Sequence, residues 1–181
     1  MYDHIWPKLL DLLGCLEATL VSNGVPAVRT FIAPGGPPPW DSCCVVGNAE
    51  GQAWVQLQSV NPTNDFPRQT GPQRLGFGEW AVTVNLGILR CAATLNDQGE
   101  APPVEAMMAN AEKVNRDRVL LHTAIECCFL PELDVEGGYL VGGWTPLGPG
   151  GGCVGGQQTF QFVADVCGCP EIGPAPDYEE G

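Results

Sequence analysis

The stretch from residue 79 to residue 128 constrains the fold of this 181-residue chain more than any other. It begins with apolar residues that alternate with small or polar ones, namely Trp80, Val82, Val84, Leu86 and Ile88. Such alternation predicts a strand with one apolar face. A turn-forming run, residues 96–99, and the pair Pro102-Pro103 follow, and prolines are tolerated where a helix begins. The stretch therefore predicts a half-buried strand followed by a helix.

The predicted helix has one apolar face, because its apolar residues recur at helical spacing. They are Met107, Met108, Ala111, Val114, Leu121, Ala124, Ile125 and Cys128. Charged residues mostly occupy the other side of the helix. A strand and a helix that are each apolar on one side form a layer of sheet and helix, which the rest of the chain has to complete.

The remaining segments predict an α+β fold with a mostly antiparallel sheet of about four to five strands and two helices packed on one face. A leading helix is predicted over residues 2–23, ended by Gly24. Strands are also predicted over residues 28–32, 43–46, 53–60 and 159–166, and extended structure is predicted over residues 132–143, continuing through Trp144. With 24 glycines and 17 prolines, long Gly/Pro-rich loops are expected. Residues 1–169 are interpreted as one domain and residues 170–181 as an acidic, Pro-rich tail.

The charge balance argues against binding to a nucleic-acid backbone. Eight basic and 21 acidic residues give a net charge of −13, so clustered cations are scarce. No apolar run approaches the length that spans a bilayer, and the first residues do not resemble a secretory signal. A cytoplasmic origin is the resulting expectation, with no membrane partner.

The nine cysteines form no standard metal-binding pattern. No Cys-x-x-Cys occurs that His4 or His122 could complete as a standard zinc site. An odd number of cysteines argues against a complete secretory disulfide framework. Most are therefore expected to be reduced, buried and hydrophobic, while a disulfide or metal site remains an open alternative.

No enzymatic activity, cofactor or metal is predicted. Residues 146–156 are rich in glycine but lack the lysine and hydroxyl of a phosphate-binding loop. Cys153 with His122 as its base is the one conceivable nucleophilic pair, and nothing beside Cys153 would activate it. The chain is interpreted as a non-catalytic domain built for contacts.

The order of a leading helix, central strands, a long strand, a long helix and a final hairpin resembles the tail terminator proteins of long-tailed bacteriophages. The resemblance covers residues 2–166. Four segments, residues 41–46, 53–60, 84–91 and 148–156, are similar to head–tail joining proteins of phages that infect actinobacteria.

This resemblance implies a virion protein of the phage neck that is assembled in the host cytoplasm. Tail terminators form a ring, usually of six subunits, that caps the tail tube and docks on the head connector, while genomic DNA passes through the lumen without specific binding. The partners expected are other copies of this chain, the tail tube protein and the head-completion proteins. Contacts within and between rings are expected in two loops, residues 61–78 and 142–158, at Phe66, Arg68, Arg74, Phe77, Pro149 and Gly151.

Two alternatives remain open at this point. The chain could be another neck component, such as a stopper or an adaptor, which would require a β-barrel or a mainly helical core. It could also be a binding module that uses its cysteines for metal or redox chemistry.

Overall fold

The structure, a computed structural model, describes residues 5–35, 43–44, 49–63, 65–68, 79–95, 98–132 and 138–165. Its elements are α1 (Ile5–Ser22), β1 (Arg29–Ala33), β2 (Gln52–Thr63), β3 (Glu79–Cys91), α2 (Val104–Thr123), β4 (Tyr139–Gly150) and β5 (Cys153–Asp165). A π-helical segment, Ala124–Phe129, and the short α3, Leu130–Glu132, continue directly from α2. Residue 132, where extended structure is predicted to begin, is therefore helical. The predicted α+β fold class is confirmed. The predicted tail, residues 170–181, lies outside the described residues.

The five strands form one sheet in the order β1-β2-β3-β5-β4. Only the pairing of β1 with β2 is parallel among these strands, and the other three pairings are antiparallel. β3 therefore occupies the centre, with thirteen residues paired to β5 on one side. The stretch from residue 79 to residue 128, which most constrains the fold, therefore begins with the central strand of the sheet.

The main core lies between the sheet and the helices on one of its faces. In the predicted apolar face of β3, Val82, Val84, Leu86 and Ile88 are fully buried in this core and Trp80 is half-buried. The prediction that only one face of this strand is buried is wrong, because Ala81 and Leu89 on the opposite face are buried as well. Helix α1 contributes Leu9, Leu12, Leu16 and Leu20, and β5 contributes Phe160, Phe162 and Ala164. Phe129 from the π-helical segment packs edge-on against Phe160, with ring centroids 5.8 Å apart.

The predicted apolar face of α2 is wrong in its N-terminal half. Leu121, Ala124 and Ile125 are buried as expected, but Met107 and Met108 are exposed. The buried residues of α2 are Asp117, Leu120 and Leu121, all in its second half. The helix contacts the core only from its middle onward.

A second, smaller core lies on the opposite face of the sheet. It contains Ala33, Cys43, Trp54, Leu89 and Cys153. The Trp54 ring lies flat over Gly87 of β3, at a point where an added Cβ would overlap the ring. Glycine is therefore required at position 87, although a glycine in the interior of a strand usually weakens that strand.

Six of the cysteines are paired in disulfides, so the expectation of mostly reduced cysteines is wrong. Cys15 is bonded to Cys128, Cys43 to Cys153, and Cys44 to Cys91. The Cα atoms of the first pair are 5.6 Å apart, within the ordinary range for a disulfide. Cys127 is a free, exposed thiol, whereas Cys167 and Cys169 lie outside the described residues.

These disulfides join segments that are distant in the chain. Cys91 and Cys153 are paired directly across β3 and β5. The adjacent residues Cys43 and Cys44 are therefore bonded to neighbouring positions on two strands. The predicted strand at residues 43–46 is not present at Cys43 and Cys44, and residues 45–46 lie outside the described part of the chain.

Residues 142–158 form a β-hairpin and residues 61–63 belong to β2, so the expectation of a loop is wrong at both places. β4 and β5 pair from Tyr139 to Gly150, with two irregularities in register. Trp144 lies over Gly156, which leaves no room for a side chain at that position. The glycines of this segment thus permit close packing within the hairpin.

Candidate interaction site

An open groove lies at the end of the sheet where β3 leaves it and β5 enters it. The segment after β3, residues 92–95, forms one wall, and the turn between β4 and β5 forms another. The N-terminal half of α2 closes the third side. Its volume is about 590 Å³.

Most of the side chains that line the groove are apolar, and many are small. The described lining residues are Ala92, Ala93, Thr94, Leu95, Pro102, Met107, Asn110, Ala111, Val114, Pro149, Gly150, Gly151, Gly152 and Val154. None of these described residues is ionisable. The groove therefore offers an apolar partner a surface from which water is easily displaced.

The first half of α2 can form a wall of the groove because it does not pack against the core. Pro103 precedes the first residue of α2, and its carbonyl accepts hydrogen bonds from the backbone N–H groups of Ala106 and Met107. The first ten residues of the helix include no buried side chain. Met107, in that half, and Val114, the eleventh residue of the helix, consequently line the groove.

The turn wall is held in place by its connections to β3. The backbone N–H of Ala92 donates a hydrogen bond of 2.8 Å to the carbonyl of Gly152. The next residue, Cys153, is bonded to Cys43. Gly151 and Gly152 both have positive φ angles, which glycine adopts without steric cost. The wall is thus a fixed part of the fold.

Large apolar side chains are exposed around the groove. Leu95, Val104, Met107 and Met108 are each more than two-fifths exposed. Scattered exposed apolar residues are ordinary on protein surfaces, but Leu95 and Met107 also line the groove, and exposed apolar side chains in a groove favour a surface for interaction. Methionine is also well suited to such contacts, because its flexible side chain adapts to a partner.

The predicted contact residues fall into separate places. Pro149 and Gly151 line the groove. Phe66 lies against Gly138, where a Cβ would stand 3.5 Å from the ring, so it is near the start of β4 at the other end of the sheet. Arg68 lies beside it and forms an exposed ion pair of 3.5 Å with Asp65. Arg74 and Phe77 lie outside the described residues.

Sequence reasoning missed the α2 side of the groove by assigning Met107, Ala111 and Val114 to the core. The spacing of apolar residues along α2 could have indicated this. No apolar residue occurs between Val114 and Val119, and Asp117 lies where a continuous buried face would require one. A break of this kind separates the buried half of a helix from a half with another role.

Cys153, the candidate nucleophile, cannot act as one because it is in a disulfide. Cys153 is buried and bonded to Cys43, so it has no thiolate to offer. His122 is exposed on α2. Within the described ranges, no three His, Cys, Asp or Glu side chains form a group that could hold a metal ion. None of the described helices is long and apolar enough to cross a membrane.

A comparison with protein families found no family that matches this chain, and a comparison with curated proteins found no matching protein.

Proposed function

We propose that this chain is a structural subunit of a bacteriophage neck: a tail terminator that forms a ring, expected to have six subunits, on the end of the tail tube. In this role it joins the tube to the head connector, and genomic DNA passes through the lumen. The proposal takes its specific content from the resemblance in segment order. The α+β fold, with a leading helix, a long central strand, a long helix and a final hairpin, supports it.

The observation that carries the proposal is the groove between α2 and the β4–β5 turn. A rigid apolar groove with exposed Met107 and Leu95 beside it suits a protein whose surface is covered by neighbours in an assembly. Two of the expected contact residues, Pro149 and Gly151, belong to it.

The charge of the chain also suits a DNA passage. With a net charge of −13, repeated around a ring, the subunits would repel a polyanion in the lumen instead of holding it. DNA could then pass without specific binding, as the proposed role requires.

The open sheet favours a terminator over the other neck components. A stopper would require a β-barrel and an adaptor a mainly helical core, and the described residues form neither. A cysteine-based metal module has less support, because six of the nine cysteines are in disulfides.

Electron microscopy of the purified full chain, alone and mixed with tail tubes of the phage that encodes it, tests the proposal. The expected result is a ring in solution or on tube ends, and tubes of uniform length when the protein is present during tube growth. A protein that stays monomeric and never binds tube ends would contradict the proposal.

A further inference from the structure

Four cysteines meet where the second core adjoins the end of β3 and the start of β5. Cys43 and Cys44 are adjacent in the chain, and they are bonded to Cys153 and Cys91 respectively. Cys91 is the last residue of β3, and Cys153 is the first residue of β5. We call these four residues the cysteine cluster. Its two disulfides attach the connection between β1 and β2 to two neighbouring strands of the sheet.

The strand pairing places Cys91 and Cys153 close enough for a bond of their own, because they are direct partners across β3 and β5. Beyond them, the backbone N–H of Ala92 donates a hydrogen bond to the carbonyl of Gly152, which makes the Cys91–Cys153 pair a non-hydrogen-bonded one. In such a pair the Cα atoms are about 4.5 Å apart and the side chains share a face. That distance lies within the span of a disulfide, about 4.4–6.8 Å.

The adjacent cysteines, in contrast, are poorly placed for a bond with each other. Consecutive Cα atoms across a trans peptide are about 3.8 Å apart, which is below the usual span of a disulfide. The cluster therefore has two favourable sets of bonds. In the set that the structure shows, Cys43 is bonded to Cys153 and Cys44 to Cys91. In the other set, Cys91 is bonded to Cys153, and Cys43 and Cys44 are thiols.

The two disulfides of the cluster differ in how easily a dissolved thiol reaches them. Cys44 is exposed and Cys91 is half-buried, whereas Cys43 and Cys153 are 2% and 0% exposed. Exchange requires a thiolate to attack a sulfur of the disulfide directly, so a dissolved thiolate attacks Cys44 first. The Cys91 sulfur then leaves as a thiolate next to the buried bond.

We propose that the cysteine cluster is a thiol–disulfide exchange site that releases Cys43 and Cys44 from the sheet. A low-molecular-weight thiol forms a mixed disulfide with Cys44, and the electron pair of the broken bond leaves with Cys91. The Cys91 thiolate attacks the sulfur of Cys153 and displaces the Cys43 thiolate. A second thiol molecule attacks the small-molecule sulfur of the mixed disulfide and displaces the Cys44 thiolate. Two dissolved thiols thus become one disulfide, and their two protons neutralise the two released thiolates.

The exchange alters the second core and leaves the groove walls joined. Cys43 packs in that core with Trp54 and Leu89, so its release uncovers apolar side chains on this face of the sheet. The groove walls begin next to Cys91 and Cys153, which stay bonded across the strands.

The exchange goes beyond the proposed role in a phage neck, because it depends on the four cysteines and not on a ring. Assembly in a cytoplasm, as proposed for the neck protein, would expose the cluster to the thiols that keep cytoplasmic cysteines reduced.

Two variants test the exchange, because they break the same disulfide and leave different thiols. Cys44→Ser leaves the Cys91 thiol beside the buried bond, and Cys91→Ser leaves the Cys44 thiol. Both variants also carry Cys127→Ser, which removes an exposed thiol that could exchange. Peptide mapping without reductant should find a Cys91–Cys153 bond in Cys44→Ser. Iodoacetamide should label Cys43 about fivefold or more in Cys44→Ser relative to Cys91→Ser, since Cys91 displaces it only there.

Two results of this comparison would overturn the inference. Equal labelling of Cys43 in the two variants would show that the buried bond does not respond to the Cys91 thiol. A bond from Cys91 or Cys153 to a cysteine outside the cluster would show that the strand pairing does not select the partner.

The unaltered full chain gives a second measurement that needs no substitution. It is titrated with glutathione, quenched with acid, alkylated and mapped. The product of two-electron reduction at the cluster should contain the Cys91–Cys153 bond with Cys43 and Cys44 alkylated. A product that keeps the Cys43–Cys153 bond while Cys44 and Cys91 are both alkylated would rule out the exchange. Ring formation on tube ends is measured separately, so its failure would refute the proposed function and leave these results standing.

Discussion

Arg90 and Asp117 form a buried ion pair that joins the end of the central strand, β3, to α2. The guanidinium Nε donates to Oδ2 of Asp117 at 2.8 Å, and a second N–H donates to Oδ1 at 3.1 Å. The two side chains are only 1% and 3% exposed. The same guanidinium donates to the backbone carbonyls of Val25 and Glu50. One side chain thus links four segments of the chain.

Removing the carboxylate should leave a buried charge without its partner. We expect Asp117→Asn to lower the free energy of unfolding by about 3–5 kcal/mol, measured by urea denaturation. The double variant Arg90→Met, Asp117→Leu should recover only part of this loss, because the carbonyls of Val25 and Glu50 still lose their donor.

The exposed pair of Arg68 and Asp65 provides a control for this prediction. Their side chains are 83% and 70% exposed, and exposed ion pairs contribute little. Asp65→Asn should therefore change the free energy of unfolding by less than about 1 kcal/mol. If Asp65→Asn and Asp117→Asn lowered the free energy of unfolding by similar amounts, burial would not explain the contribution of the Arg90–Asp117 pair.

The contact between Trp54 and Gly87 predicts a second pair of outcomes. Gly87→Ala forces a methyl group into the indole ring, so it should cost roughly 1–3 kcal/mol of stability by overpacking. Gly143 in β4 has open space where its Cβ would be. Gly143→Ala should therefore leave the melting temperature nearly unchanged. A neutral Gly87→Ala would mean that the indole can move aside.

The sheet and its helices could be predicted because periodicity reports directly which side chains are buried. The apolar residues of β3 alternate from Val82 to Ile88, and the face they form is buried in the main core, although Ala81 and Leu89 on the opposite face are buried as well. α1 was predicted within three residues at its start, and Gly24, with φ of 71°, ends it as expected. These features depend on residues that are neighbours in the sequence.

The features that sequence reasoning missed depend on residues that are far apart. Glycines in the β4–β5 hairpin suggest a loop until Trp144 is seen to lie over Gly156. Cysteine spacing does not determine pairing, so the bonds of Cys43 and Cys44 to two adjacent strands could not be deduced. Arg90 and Asp117 are 27 residues apart, and no local pattern joins them. The groove likewise requires three separate segments.

The disulfide between Cys15 and Cys128 predicts a large effect from a chemically small change. It closes a loop across a sequence separation of 113 residues and joins α1 to the π-helical segment. Replacing both cysteines by alanine should lower the free energy of unfolding by about 4–5 kcal/mol, since the unfolded chain regains the entropy of an open loop. Denaturation under non-reducing conditions measures the difference.

The neighbouring free thiol provides the control for the disulfide. Cys127 is exposed and unbonded, so Cys127→Ser should change stability by less than about 0.5 kcal/mol. Peptide mapping after alkylation without reductant should find Cys127 labelled and Cys15 joined to Cys128. Labelling of Cys15 in the unfolded, unreduced protein would contradict the bond.

The division of the long helix into a buried and an exposed half gives the last prediction. Ile125 is 0% exposed in the main core, whereas Met108 is 68% exposed near the start of α2. Ile125→Asp should cost more than ~4 kcal/mol, because the new carboxylate is buried without a partner. Met108→Asp should cost nearly nothing, because an acidic side chain near a helix N-terminus is favourable. If Ile125→Asp prevents purification, Ile125→Ala should still show a loss of about 2–5 kcal/mol by urea denaturation. If Met108→Asp and Ile125→Asp had equal melting temperatures, the assignment of Ile125 to the core and of Met108 to the surface would be wrong.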